Sequence, residues 1–110
     1  MTESMASRYV EAVNAQDADR LLALFAPDAL LLHPVGRFEG TDAIAGFYRD
    51  VVFLGQAQAT VVEHHAFDGV EVALLEATSP LDPNAATVHA ADVFTINASG
   101  TLDRLEIYYR

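Results

Sequence analysis

From Gln56 onward the chain is cut into strand-length pieces by turn signals, and this limits the second half to an antiparallel meander. Gln56 to Phe67 and Val70 to Thr78 flank Asp68-Gly69, a hairpin signal. A loop, Ser79-Pro80-Leu81-Asp82-Pro83-Asn84, leads to a third strand from Ala85 to Asn97. The turn Asn97-Ala98-Ser99-Gly100 precedes Leu102 to Tyr109, where Leu105, Ile107 and Tyr109 alternate with Arg104, Glu106 and Tyr108. The first half reads differently. Helical spacing of Met5, Tyr9, Ala12 and Val13 predicts a helix from Thr2 to Ala15, capped by Thr2 or Ser4. Asp17 is suited to cap a short second helix carrying Leu21, Leu22, Leu24 and Phe25, which Pro27-Asp28 stops. Ala29 to His33 reads as a buried strand and Pro34 to Gly40 as a loop. Thr41 is expected to cap a third helix reaching about Phe53. Helices followed by a meander define an α+β chain, with one twisted sheet curled around the helices to enclose a pocket.

The 110 residues form one domain, 1–110, and an apolar fraction of 52% supports a core. The formal charge of −10 argues against nucleic acid or an anionic membrane as partner. No cysteine is present, which excludes thiol catalysis and zinc–thiolate sites. Met1 to Arg8 lacks a basic start followed by an apolar run, and no stretch approaches membrane-spanning length, so a cytoplasmic location is expected. His64 and His65 are neighbours in a strand and point to opposite faces, so they do not chelate together. With no His-x-His, Gly-x-Ser-x-Gly or phosphate-loop pattern, neither a metal nor another cofactor is expected.

Three polar groups stand out on this apolar frame. Alternation puts Val88, Ala90, Asp92, Phe94 and Ile96 on one strand face, apolar except for Asp92. A carboxylate there is costly to bury unless it is paired or protonated. His33 aligns with Ala29 and Leu31, and Tyr9 lies on the apolar side of the first helix. Tyrosine and a protonated carboxylic acid are hydrogen-bond donors, and a histidine moves protons near neutral pH. Two donors and a base in one pocket suit proton abstraction next to a carbonyl. His89 faces away from Asp92, toward the outer sheet surface.

Short motifs recur in an order that resembles a known family. Arg8-Tyr9-Val10-Glu11-Ala12-Val13-Asn14-Ala15-Gln16-Asp17, Leu24-Phe25-Ala26-Pro27-Asp28-Ala29, His33-Pro34-Val35-Gly36, Gly40-Thr41-Asp42-Ala43-Ile44, Phe47-Tyr48 and Ala90 to Asn97 together resemble the ketosteroid isomerases and SnoaL-like proteins of the nuclear transport factor 2-like superfamily. The resemblance implies three helices packed in a curved antiparallel sheet around a cone-shaped cavity. It places Tyr9 and Asp92 at the oxyanion-hole positions of the steroid isomerases, the standard case of an aspartic acid kept protonated by an apolar site. His33 occupies the position before Pro-Val-Gly where those isomerases carry their aspartate base. Tyr48 matches a tyrosine that supports the oxyanion tyrosine, and Tyr48, Phe94, Leu105 and Ile107 are the residues expected against substrate. The implied reaction is a cofactor-free proton shift beside the carbonyl of a small apolar ketone. Alternatives are a cyclase or dehydratase using His33 and Asp92, or a non-catalytic binder of an apolar ligand. A homodimer through the outer stripe His89, Ala91, Val93 and Thr95 is also expected.

Overall fold

A computed structural model describes residues 4–82 and 84–110. Thr2, one of the two candidate caps, and Pro83 of the expected loop lie outside the described residues. Helix α1 spans Met5–Ala15 and is capped by Ser4, whose Oγ accepts the Ser7 N–H at 3.0 Å. It ends where Gln16 turns left-handed, at φ 54°. Asp17 caps α2, Ala18–Leu22, by accepting the Arg20 N–H at 3.1 Å.

That helix is shorter than its apolar pattern implies. Leu24 and Phe25 are not helical; strand β1 already begins at Phe25 and runs to His33. Pro27 is tolerated because the pairing of β1 with the last strand slips between Phe25 and Leu30, so no ladder N–H is needed there. The expected loop after His33 contains a second short strand, β2, Gly36–Glu39, paired antiparallel with β1. Four residues are too few for alternation to be read. Gly40, at φ 85°, takes the cap position of α3, Thr41–Phe47, so Thr41 is the first helical residue rather than the cap. The helix then widens into a π-helical segment, Tyr48–Phe53.

Strands β3 (Gln58–Phe67), β4 (Val70–Thr78), β5 (Val88–Ile96) and β6 (Leu102–Tyr109) form the meander, with β3 and β5 starting two and three residues later than the pattern suggests. The sheet order is β2-β1-β6-β5-β4-β3. Every pairing is antiparallel except β1 with β6, which run parallel and are joined in the chain by the long connection through β2, α3 and β3 to β5. The helices pack on one face of this curved sheet. Tyr48, Phe94, Leu21, Leu31, Ile44, Leu102 and Leu105 are the largest side chains wholly buried between them.

One carboxylate ties helix to sheet. Glu71 on β4 accepts the Met5 and Ala6 N–H groups at 3.0 and 3.2 Å, and its Oε1 lies 2.8 Å from His64 Nε2. These are the free donors of the first turn of α1, where negative charge is favoured. Burial would raise the Glu71 carboxyl, but His64 and the two N–H groups outweigh it and hold it below its ordinary value. His65 points the other way, toward Glu63.

Candidate active site

The pleat of the sheet fixes the surroundings of Asp92. In register, Asp92 lies between Ala73 on β4 and Ile107 on β6. Neither neighbour offers a polar group. Asp92 is 2% exposed, and its Oδ1 has no hydrogen-bond partner among the described residues. Burial alone pushes its carboxyl up to about 7.

Tyr9 comes from α1 and Tyr48 from the first turn of the π-helical segment. Their hydroxyls meet at 2.7 Å in the core. The Tyr9 ring stands edge-on to Phe94, with centroids 5.4 Å apart. Burial pushes both phenols well above their usual range, with the nearby Asp92 charge acting in the same direction. Both are therefore donors at any ordinary pH.

His33 sits at the last position of β1, half-buried, with its ring against Phe47 at 4.8 Å. Its Nδ1 accepts the Val35 N–H at 3.2 Å, and its Nε2 lies 2.9 Å from Tyr109 Oη. Burial lowers its pKa, so the ring is neutral at pH 7.

These groups meet at a cavity of about 270 Å³. Tyr9, His33, Asp92, Ile107 and Tyr109 are among the residues that line it. Most of the remaining lining is apolar, including Gly55, Ala59, Ala77 and Val52, with Thr78 and Ser79 the polar exceptions. Among the residues expected against substrate, Ile107 lines the cavity. Tyr48, Phe94 and Leu105 are buried behind its wall, where Tyr48 holds Tyr9 and Phe94 supports its ring. Tyr109 is a polar lining group that sequence reasoning did not single out, as are Thr78 and Ser79. The signal was present: Tyr109 continues the inward alternation of Leu105 and Ile107. His89 lies outside the cavity, on the opposite face, near Glu76 at 3.7 Å.

A helix-filled curved sheet with polar groups lining a largely apolar cavity is the architecture of the nuclear transport factor 2-like class. Within it the chain belongs to the SnoaL-like domain family, whose model matches residues 6–104. Solved structures of the same fold include protein RV0760c of Mycobacterium tuberculosis, 18% identical with a TM-score of 0.86 over 100% of this chain and 94% of that one. A candidate polyketide cyclase of Sinorhizobium meliloti is 23% identical, with a TM-score of 0.80 over 97% and 95% of the two chains. A candidate ketosteroid isomerase of Kribbella flavida is 18% identical, with a TM-score of 0.82 over 96% and 75%. RV0760c has also been solved in complex with estradiol-17β-hemisuccinate. At these identities the likeness establishes the fold. No helix among the described residues is long and apolar enough to cross a membrane.

Proposed function

We propose that the cavity takes a small apolar ketone and that the protein abstracts a proton from the carbon adjoining its carbonyl and returns it along the enolate so formed. The observation that carries this reading is Asp92: a carboxyl on an apolar wall, with an unpartnered oxygen, in the same cavity as Tyr9. A ketone oxygen seated there accepts from Tyr9 and from protonated Asp92. Tyr9 then turns its O–H to the ligand and accepts from Tyr48. As an α C–H bond breaks, its electron pair moves onto the carbonyl oxygen, where both donors gain strength. His33 takes the proton and returns it to the same carbon or, where a β,γ double bond extends the enolate to a dienolate, to the γ carbon, the double bond moving into conjugation with the carbonyl. Its ring first turns about Cβ–Cγ, releasing the Val35 N–H so that a lone pair reaches the cavity. The steroid-type ligand of RV0760c supports an apolar, fused-ring substrate class.

The test is exchange of α-protons for deuterium in a bound cyclic ketone such as 2-tetralone, followed by NMR. Exchange well above the buffer rate is expected. Binding without exchange would overturn the proton-transfer reading. A second reading, a non-catalytic ligand carrier, is favoured by one observation: both His33 ring nitrogens are already engaged. It predicts that second outcome. A cyclase or dehydratase would use the same pair, Asp92 as acid and His33 as base.

The outer sheet face supports a homodimer. Val72 pairs with Val93, and Leu74 with Ala91, giving an apolar centre on the face opposite Asp92. Glu76 and His89 border it. Left open, such a patch favours a partner of the same kind. Light scattering at low micromolar concentration is expected to give two chain masses for the wild type and one for Leu74→Glu. A wild-type monomer would contradict this.

A further inference from the structure

The contacts of His33 carry a consequence for Tyr109. The Val35 N–H points at Nδ1, so Nδ1 holds the lone pair of the neutral ring and Nε2 holds its proton. The 2.9 Å contact with Tyr109 is therefore donated by His33 Nε2–H and accepted by Tyr109 Oη. The phenolic proton of Tyr109 is not used in that bond. Tyr109 lines the cavity and is 54% exposed. In register, Tyr109 pairs with Ala90 while Ile107 pairs with Asp92. Tyr109 thus stands two residues along the strand from the Asp92 level, about 7 Å at the usual rise. Among the described residues, the wall between these levels is apolar: Ala90 and Ile107.

We infer that Tyr109, with its hydroxyl oriented by His33, is a specificity-determining donor that selects ligands carrying a second acceptor oxygen one ring or so beyond the carbonyl bound at Tyr9 and Asp92. The inference rests on the ketone reading of the cavity and narrows its substrate class to dioxygenated fused rings, hydroxyketones or diketones. An Nε2–H donor is needed for this arrangement. Were the proton on Nδ1, it would oppose the Val35 N–H, and Tyr109 would spend its own proton on His33.

Two measurements test it. The first compares the affinities of 2-tetralone and 6-hydroxy-2-tetralone in wild type and Tyr109→Phe. The wild type is expected to favour the hydroxylated probe by about fivefold, the usual net effect of one hydrogen bond, and Tyr109→Phe to abolish that preference. No preference in the wild type, a preference that survives Tyr109→Phe, or binding of neither probe would overturn the inference. The second is the ¹⁵N spectrum of the histidine rings, in which neutral His33 is expected to carry its proton on Nε2. A proton on Nδ1 would overturn it without any ligand. Deuterium exchange measured in the same samples separates the two proposals. No preference in the wild type, or one that survives Tyr109→Phe, with exchange intact overturns only the role of Tyr109. Preference without exchange upholds that role and overturns only the proton transfer.

Discussion

Asp92→Asn is expected to make the protein more stable at pH 8 by about 2 kcal/mol, and less stable at pH 4, where the wild-type carboxyl is already protonated, by about 1 to 2 kcal/mol. The folded carboxyl holds its proton up to about pH 7, whereas the unfolded one releases it near 3.8. The favourable contribution of Asp92 is therefore complete below 3.8 and is lost as pH rises through about 7. A difference of this size corresponds to roughly 4 kcal/mol. Asparagine removes the charge but leaves a buried amide with an unpartnered group, which takes back roughly 2 kcal/mol. Urea unfolding at the two pH values checks the sign. Equal effects at both would mean that Asp92 titrates normally, and the oxyanion role would fall with that result. The catalytic consequence runs opposite to the stability gain. Asp92→Ala removes the donor altogether, and exchange of ketone α-protons is expected to slow by about 10²- to 10³-fold. A residue that weakens the fold above neutral pH and speeds the reaction is the pattern of a functional site, where local rules of stability are broken for chemistry.

What could be read from the sequence, and what could not, follows from the range of the forces involved. Alternation is local, so the inward face of β5 and the isolation of Asp92 on it were legible. The order of short motifs carried the family, and with it the helix-filled sheet. Three features depend on partners distant in sequence and were not legible. The start of β1 at Phe25 is decided by pairing with Leu102, which overrides the apolar pattern that continues the preceding helix. β2 is a strand only because β1 offers it an edge. The cap on α1 supplied by Glu71 joins residues 65 and 66 positions apart, a contact no local pattern encodes. The site divides in the same way. Tyr9, His33 and Asp92 all line the cavity, but the state of His33 depends on Val35 and Tyr109, and Tyr109 lies 76 positions away.

His33→Ala is expected to reduce α-proton exchange by about 10²- to 10⁴-fold, the range a positioned general base supplies. Ligand affinity should fall far less, because the carbonyl remains seated on Tyr9 and Asp92. The neutral state of the ring makes this possible at pH 7: burial lowers its pKa, so the basic form dominates there. The wild-type rate should accordingly fall as the solution is acidified through that lowered pKa and the ring becomes protonated. His33→Ala should lose that limb of the profile along with the rate. His33→Asp is the complementary variant. A carboxylate at the same position, held by the Pro34-Val35-Gly36 turn, is shorter, and it cannot donate to Tyr109 as the imidazole does. Exchange should persist in His33→Asp, with its acid limb moved toward ordinary carboxylate pH, and any Tyr109-dependent ligand preference should change with it. Exchange that survives His33→Ala would instead assign the base to another group. Asp92 is then the strongest remaining candidate, because burial raises this cavity carboxyl to about 7, close to the pH at which it would have to exchange a proton.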